Sequence, residues 1–279
     1  MVAALPGHIA SLRQHDRDRY QTCLFAPAAS RDHLFALYAF NYEVAKTAEV
    51  VSEAMLGQIR LQWWRESLEG IYAGTPRAHE VVEPLARAVA ATALPRDGLE
   101  ALITAREFDL EGEPPQTLDA LESYAAGTSS QLLRLALKVL GVESAAAETA
   151  AHHLGIAWAY LGLLRAVPFH ARQKRLYLPV DLCHAAGVDY GGLFELRGSE
   201  GLSAVARDLC AAAGEHLRQA RAADAVPRAA RAPLLLATLA DRHLRRLEAA
   251  AHDPFHPDLQ TEAPGQIWRL AWTHWRGRY

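Results

Sequence analysis

The sequence predicts a single all-α domain spanning residues 1–279. Alanine and leucine dominate, β-branched residues are scattered, and apolar residues recur at helical spacing rather than in alternation. Hydrophobic residues make up 51% of the chain, enough for one large core. There is no internal repeat and no linker long enough to separate domains.

The elements follow in order. A helix is predicted over 28–53, with Leu34, Leu37, Tyr38 and Val44 on one side. A second, over 55–73, places Met55, Ile59, Trp63 and Ile71 on one stripe and stops at Gly74-Thr75-Pro76. A pair over 79–93 and 97–110 is joined near Pro95, and Glu111 to Pro115 reads as a loop. Helical patterns return at 118–140, 144–167, 201–223, 229–250 and 264–276. The stretch 168–200 carries Pro168, Pro179 and several glycines, and reads as connection plus short helices.

Composition narrows the function. Charge is nearly balanced, 29 Lys+Arg against 32 Asp+Glu, which gives no bulk electrostatic attraction for nucleic acid. Cys23, Cys183 and Cys210 lie far apart and read as buried or free thiols of a reducing compartment. The N-terminus shows neither a secretory signal nor a transit-peptide pattern. No apolar run reaches the roughly 18–20 residues of a membrane span. Residues 154–164 come closest, before Arg165 and Pro168 end the run. The expected location is cytoplasmic, with peripheral contact at the inner face of the inner membrane.

Several motifs carry a resemblance. Ala36, Leu37, Tyr38, Ala39 and Phe40 form one; Trp63, Trp64 and Arg65 a second; Glu107, Asp109 and Leu110 a third. The longest is Leu154, Gly155, Ala157, Leu164, Arg165, Tyr177, Leu178 and Pro179. In order and spacing they resemble the squalene/phytoene synthase family, from about residue 18 to the C-terminus. The resemblance implies the isoprenoid synthase helical bundle. Enzymes of that family hold Mg²⁺ between two aspartate-rich helices, and the metal stabilises the departing diphosphate.

Here the corresponding positions are Ala45, Lys46 and Glu49 in the first segment, and Ala166 and His170 in the second. One carboxylate beside a lysine is a poor Mg²⁺ site. A glycine-rich element is also replaced, by Ser130, Gln131, Leu132 and Leu133, which implies a narrower or differently filled cavity.

The departures resemble one branch of the family, which includes a mitochondrial assembly factor of respiratory complex I. The stretches 40–45, 51–53, 164–170, 255–260 and 275–279 carry that likeness. It implies a non-catalytic role in assembling NADH:ubiquinone oxidoreductase, with complex I subunits or assembly intermediates as partners and no cofactor. The alternatives are a prenyltransferase, which needs Mg²⁺, or a carrier of an isoprenoid or quinone-like lipid.

Each candidate residue also has a structural reading. Asn41, Glu43, Glu49, Glu107, Asp109, Arg165 and Tyr177 are candidates for a residual pocket. Arg165 and Tyr177 bind an anion or lipid, or Arg165 pairs internally with Glu107 or Asp109. Lys46 forms a salt bridge with Glu49, or joins Arg165 around an anion. His170 is a helix-end histidine meeting backbone carbonyls, or a transition-metal ligand. Asn41, Glu43 and Glu53 face the cavity or a partner, or are solvated on a helix surface. Trp268, Trp272 and Trp275 share a helix face that packs on the core, or docks on a membrane or partner. At most one of Trp63 and Trp64 is central core. His252 and His256 mark a rigid turn despite their metal-like spacing.

Overall fold

A computed structural model of the chain describes residues 5–261 and 265–279. Two short helices, α1 (Gly7–His15) and α2 (Arg17–Cys23), come first. They are followed by α3 (Ala28–Ala45), α4 (Thr47–Val50), α5 (Ala54–Tyr72), α6 (Val82–Thr92), α7 (Arg96–Ala105) and α8 (Phe108–Glu111). Helix α9 (Leu118–Ala125) passes through a π-helical turn, Ala126–Ser130, into α10 (Gln131–Val139). The long α11 (Ala145–Arg172) leads to α12 (Val180–Ala185), α13 (Tyr190–Phe194) and α14 (Glu200–Ala222). A 3₁₀ turn, Arg228–Ala230, precedes α15 (Arg231–Leu234) and α16 (Leu236–Ala249). A second, Pro257–Gln260, precedes α17 (Gln266–Trp275). Among the described residues there is no strand.

Local chemistry sets most boundaries. The side chains of Asp16, Thr117, Ser144 and Ser199 accept backbone N–H bonds at the starts of α2, α9, α11 and α14. Two apolar clusters make the core. One gathers on α11, α14 and α16 around Leu154, Leu161, Leu164, Leu209 and Leu239. The other gathers on α3, α5, α6, α7 and α10 around Leu37, Phe40, Trp64, Leu85 and Leu99. The thiols of Cys23, Cys183 and Cys210 are free and buried.

Several expectations are corrected. Residues 7–23, given no element from the sequence, form α1 and α2, which bury Ile9, Leu12 and Cys23 in the second cluster. The helix expected over 28–53 breaks at Lys46 and resumes as the single turn α4. Pro168 does not end α11. The proline is buried within the helix, which forgoes one backbone bond there and runs on to Arg172. At 28 residues α11 is long and apolar enough to cross a membrane by length and composition, although Arg165 interrupts its apolar run. It is instead the central core helix, with Leu154, Tyr160, Leu161 and Leu164 fully buried.

The stripe on α5 is corrected at Met55 and Ile59, while its Ile71 is buried as expected. Met55 is 68% exposed and Ile59 61%. The buried line is Gly57, Leu61, Trp64, Leu68 and Ile71. Trp64 meets Phe40 edge-on at 5.4 Å, while Trp63 is half-buried, so one tryptophan of the pair is core, as expected. Both stripes have helical period, and only the packing of α6 and α7, with Phe40 of α3, selects between them. Ile59→Ala is therefore expected to change stability by no more than about 0.5 kcal/mol, and Leu61→Ala to cost about 2 kcal/mol. Thermal melting of the two variants checks the ranking.

Candidate functional site

A cleft of about 840 Å³ opens between α2, α11, α16 and the start of α17. Trp158, Gly162 and Arg165 succeed one another along one face of α11 and form one wall. Arg242, His243 and Arg246 of α16 form another, and Gln266 and Ile267 close the side. From α2 and its cap come Asp16, Arg17, Asp18 and Arg19, and Glu49 reaches the rim from α4.

An internal ion cluster fills the floor. Nη1 of Arg165 lies 2.9 Å from Nε2 of His243 and 3.6 Å from the Asp18 carboxylate. His243 stands 3.8 Å from the same carboxylate, and Gln266 donates to Asp18 Oδ1 at 2.6 Å. Burial works to raise the pKa of Asp18. The His243 hydrogen bond, the Arg165 charge and the Gln266 hydrogen bond outweigh it and push the pKa down to about 2. Burial holds the His243 pKa down, Asp18 opposes this, and the Arg165 guanidinium adds to it.

Asp18 thus stays ionised and occupies the place of an anion between the Arg165 guanidinium and the His243 ring. Because its folded pKa lies below its unfolded value, its stabilisation is present above about pH 4 and lost as pH falls through about 2. Asp18→Asn is expected to cost about 2 kcal/mol near neutrality, with that difference from wild type disappearing toward pH 2. Denaturant titrations across that window measure it.

The positions singled out from the sequence do not gather in this cleft. Of the five degenerate metal positions, Glu49 lines it, while Ala45, Lys46, Ala166 and His170 do not. Lys46 donates to Glu43 at 2.5 Å rather than to Glu49, and Glu43 also accepts from Arg60 at 2.8 Å. Lys46 therefore forms no pocket with Arg165. Neither Glu107 nor Asp109 is the partner of Arg165. Glu107 pairs with Arg65 at 2.5 Å beside a surface groove containing Ile59 and Trp63. Asp109 is buried, accepting from Tyr124 Oη at 2.8 Å and from Arg106 at 3.1 Å.

Tyr177 belongs to that second network. It stands 6.2 Å from the Tyr124 ring and 4.5 Å from the His170 ring. His170 does lie in the last turn of α11, but its ring packs on Tyr177 instead of meeting carbonyls. Burial first of all lowers its pKa to about 4, so it is neutral near pH 7. Asn41 is buried and Glu43 is ion-paired, so neither is a solvated surface group, whereas Glu53 is exposed. His252 takes a left-handed turn (φ 60°), and His256 Nδ1 accepts the Asp258 N–H at 3.3 Å, the rigid turn expected. The stripe expected to pack on the core does the opposite: Trp268, Trp272 and Trp275 are exposed and Leu270 alone on α17 is buried.

Sequence reasoning missed Asp18, Arg242, His243, Arg246 and Gln266. Two signals were present: the alternating charges Asp16-Arg17-Asp18-Arg19, and the grouping of Arg242, His243 and Arg246 within about one helical turn. The residues do not fit a magnesium–diphosphate centre. Among the described residues no group of three or more His, Cys, Asp or Glu side chains is placed to share a metal ion. The family's metal positions hold an ion-paired ammonium at Lys46 and a ring-stacked imidazole at His170.

Helices packed around a central helix and a polar cleft in this order define the isoprenoid-synthase class of all-α folds. A crystal structure of a dehydrosqualene synthase in complex with ligand superposes with a TM-score of 0.83 at 17% identity, covering 96% of this chain and 94% of that one. The chain belongs to the squalene/phytoene synthase family, whose model matches residues 12–276. Within the family it is 34% identical over 269 residues to the NADH dehydrogenase (ubiquinone) complex I, assembly factor 6 of Bos taurus, across 96% of this chain and 81% of that protein. It is 28% identical over 172 residues to the presqualene diphosphate synthase of Rhodopseudomonas palustris, across 61% of this chain and 60% of that one.

Proposed function

We propose that this protein is a non-catalytic member of the family that assists assembly of respiratory complex I, binding its subunits or assembly intermediates. One observation carries the non-catalytic part. Of the five positions where a catalyst of the family gathers metal-binding carboxylates, one is acidic, and the folded chain engages two others, Lys46 and His170, in internal contacts. The cleft adds support: its Arg165 and His243 already face the Asp18 carboxylate, which repels a diphosphate. No metal cofactor is required by this reading. The complex I part is supported by the likeness to the assembly factors, which extends over more of the chain and at higher identity than that to the synthase. The proposed location is the cytoplasm, at the inner face of the inner membrane.

A lipid carrier fits less well. The cleft is walled by Arg17, Arg19, Arg165, Arg242 and Arg246, a poor lining for an isoprenoid tail.

Two measurements test the reading together. Purified full-length protein with farnesyl or geranylgeranyl diphosphate and Mg²⁺ is expected to form no coupled product. Deletion in the native host is expected to lower complex I activity while leaving isoprenoid products unchanged. Turnover in the first experiment overturns the non-catalytic reading, and unchanged complex I activity in the second overturns the assembly reading.

A further inference from the structure

Among the described residues, the exposed tryptophans gather on one face of α17. Trp268 is 78% exposed, Trp272 57% and Trp275 75%. Tryptophan combines a large apolar ring with one N–H donor, so water-facing display of three at once leaves much apolar area unburied. Trp272 and Trp275 touch each other, with centroids 5.1 Å apart, and Arg276 lies 5.7 Å from the Trp272 ring.

This helix is firmly seated. Leu270 is fully buried in the first core cluster. Gln266 bonds to Asp18 at 2.6 Å, and the His274 ring meets Phe25 at 5.3 Å. Beyond the helix, Tyr279 Oη donates to the Ala220 carbonyl at 3.2 Å, and Arg221 donates to the Tyr279 carbonyl at 3.2 Å. The tryptophan face is therefore held in a fixed orientation.

Charge identifies the occupant. From Gly265 to Tyr279 the chain carries Arg269, Arg276 and Arg278 and no acidic residue, although the whole protein has a net charge of -3. Packed elements add to the cationic side. Arg228 and Arg231 act on His274, and Arg269 and Arg246 both disfavour the charge on Arg242. Two of the neighbouring carboxylates are engaged elsewhere, Asp18 in the cleft floor and Asp241 with Arg221 at 2.7 Å. Tryptophans interleaved with arginines suit the headgroup level of a bilayer, where rings lie among glycerol and upper acyl groups and guanidinium groups meet phosphates. We propose that α17 docks the protein on an anionic lipid bilayer, with Trp268, Trp272 and Trp275 entering the interface and Arg269, Arg276 and Arg278 binding headgroup phosphates. The cleft shares Gln266 and Ile267 with this helix, so docking sets its mouth beside the membrane. The inference goes beyond the assembly reading and does not depend on it.

Vesicle sedimentation of the full-length protein tests it. Binding is expected to phosphatidylcholine vesicles containing about one third phosphatidylglycerol and to weaken with salt. Replacing the three tryptophans together with alanine should lower binding at least about tenfold, with the melting temperature nearly unchanged because the rings are exposed. Replacing the three arginines with glutamine should lower it by about fivefold per charge. As a measurement independent of any variant, wild-type tryptophan fluorescence should be quenched by lipids brominated near the headgroup. Failure of the wild type to bind these vesicles, or wild-type binding by the tryptophan variant, overturns the proposal. So does capture of a purified complex I assembly intermediate through α17 without affinity for vesicles.

Discussion

Asp109→Ala is expected to cost about 4 kcal/mol and to leave the protein close to its folding threshold. Asp109 is 5% exposed and accepts from Tyr124 Oη at 2.8 Å and from Arg106 at 3.1 Å. Arg106 also donates to Tyr124 Oη at 2.6 Å. Burial opposes the charge on Arg106, but Tyr124 and Asp109 outweigh it and raise its pKa above the ordinary arginine value. Removing the carboxylate strands a guanidinium in the bundle, and the desolvation cost then goes uncompensated. Asp109→Asn, which keeps an acceptor but loses the charge, should cost less. A double variant, Arg106→Met with Asp109→Leu, should recover much of the loss, because it removes both charges and leaves apolar volume. Chemical denaturation of the double variant beside the single variants Arg106→Met and Asp109→Leu closes the cycle and gives the coupling energy. Additive costs would mean that the pair does not act as a unit.

Gly155→Val is expected to destabilise by about 3 kcal/mol, and to lower the melting temperature by roughly 5 °C. A Cβ placed on Gly155 would stand 2.3 Å from Ser130 Cα and 2.4 Å from Ser130 N. Those atoms belong to the backbone of the π-helical turn, so no side chain can rotate away. The helix must separate from that turn, which Ser130 Oγ also ties to it through a 2.6 Å bond to the His152 carbonyl. Gly155→Ala tests the same contact more gently and should fall between wild type and the valine variant. Differential scanning calorimetry on the pair decides it. A melting temperature for Gly155→Val within a degree or two of wild type would show that α11 does not approach this closely.

The helix pattern was legible because burial imposes a period on neighbouring residues. The segments at 97–110, 118–140 and 201–223 lie close to the observed helices, and the π turn within the second has no signature in hydrophobic period. Errors arose where local patterns were ambiguous. The α5 stripes of Met55, Ile59 and Trp63 and of Leu61, Trp64 and Leu68 are equally apolar, and period alone cannot rank them. Pro168 normally signals a stop, but the core contacts on both sides of it hold α11 together.

The candidate site was less legible than the fold. Arg165 was recognised, but its partners were sought at Glu107 and Asp109. Its actual neighbours, Asp18 and His243, lie 147 and 78 residues away in sequence, and Gln266 lies 248 residues from Asp18. The 78- and 248-residue separations are set by helix packing and leave no trace in local spacing. Lys46 is a local case: Glu43, three residues before it, takes its charge and also accepts Arg60, away from the cleft.

What the sequence by itself determined was the helical class, the family, and the replacement of the metal-binding aspartates, because each is a property of residue type and near-neighbour order. Tertiary structure alone decided that Asp18 closes the circuit of Arg165 and His243, that Tyr124 reaches Asp109, and that the α17 tryptophans face outward. Charge pairing and exposure depend on distances between elements remote in the chain, and those distances exist only once the helices are packed.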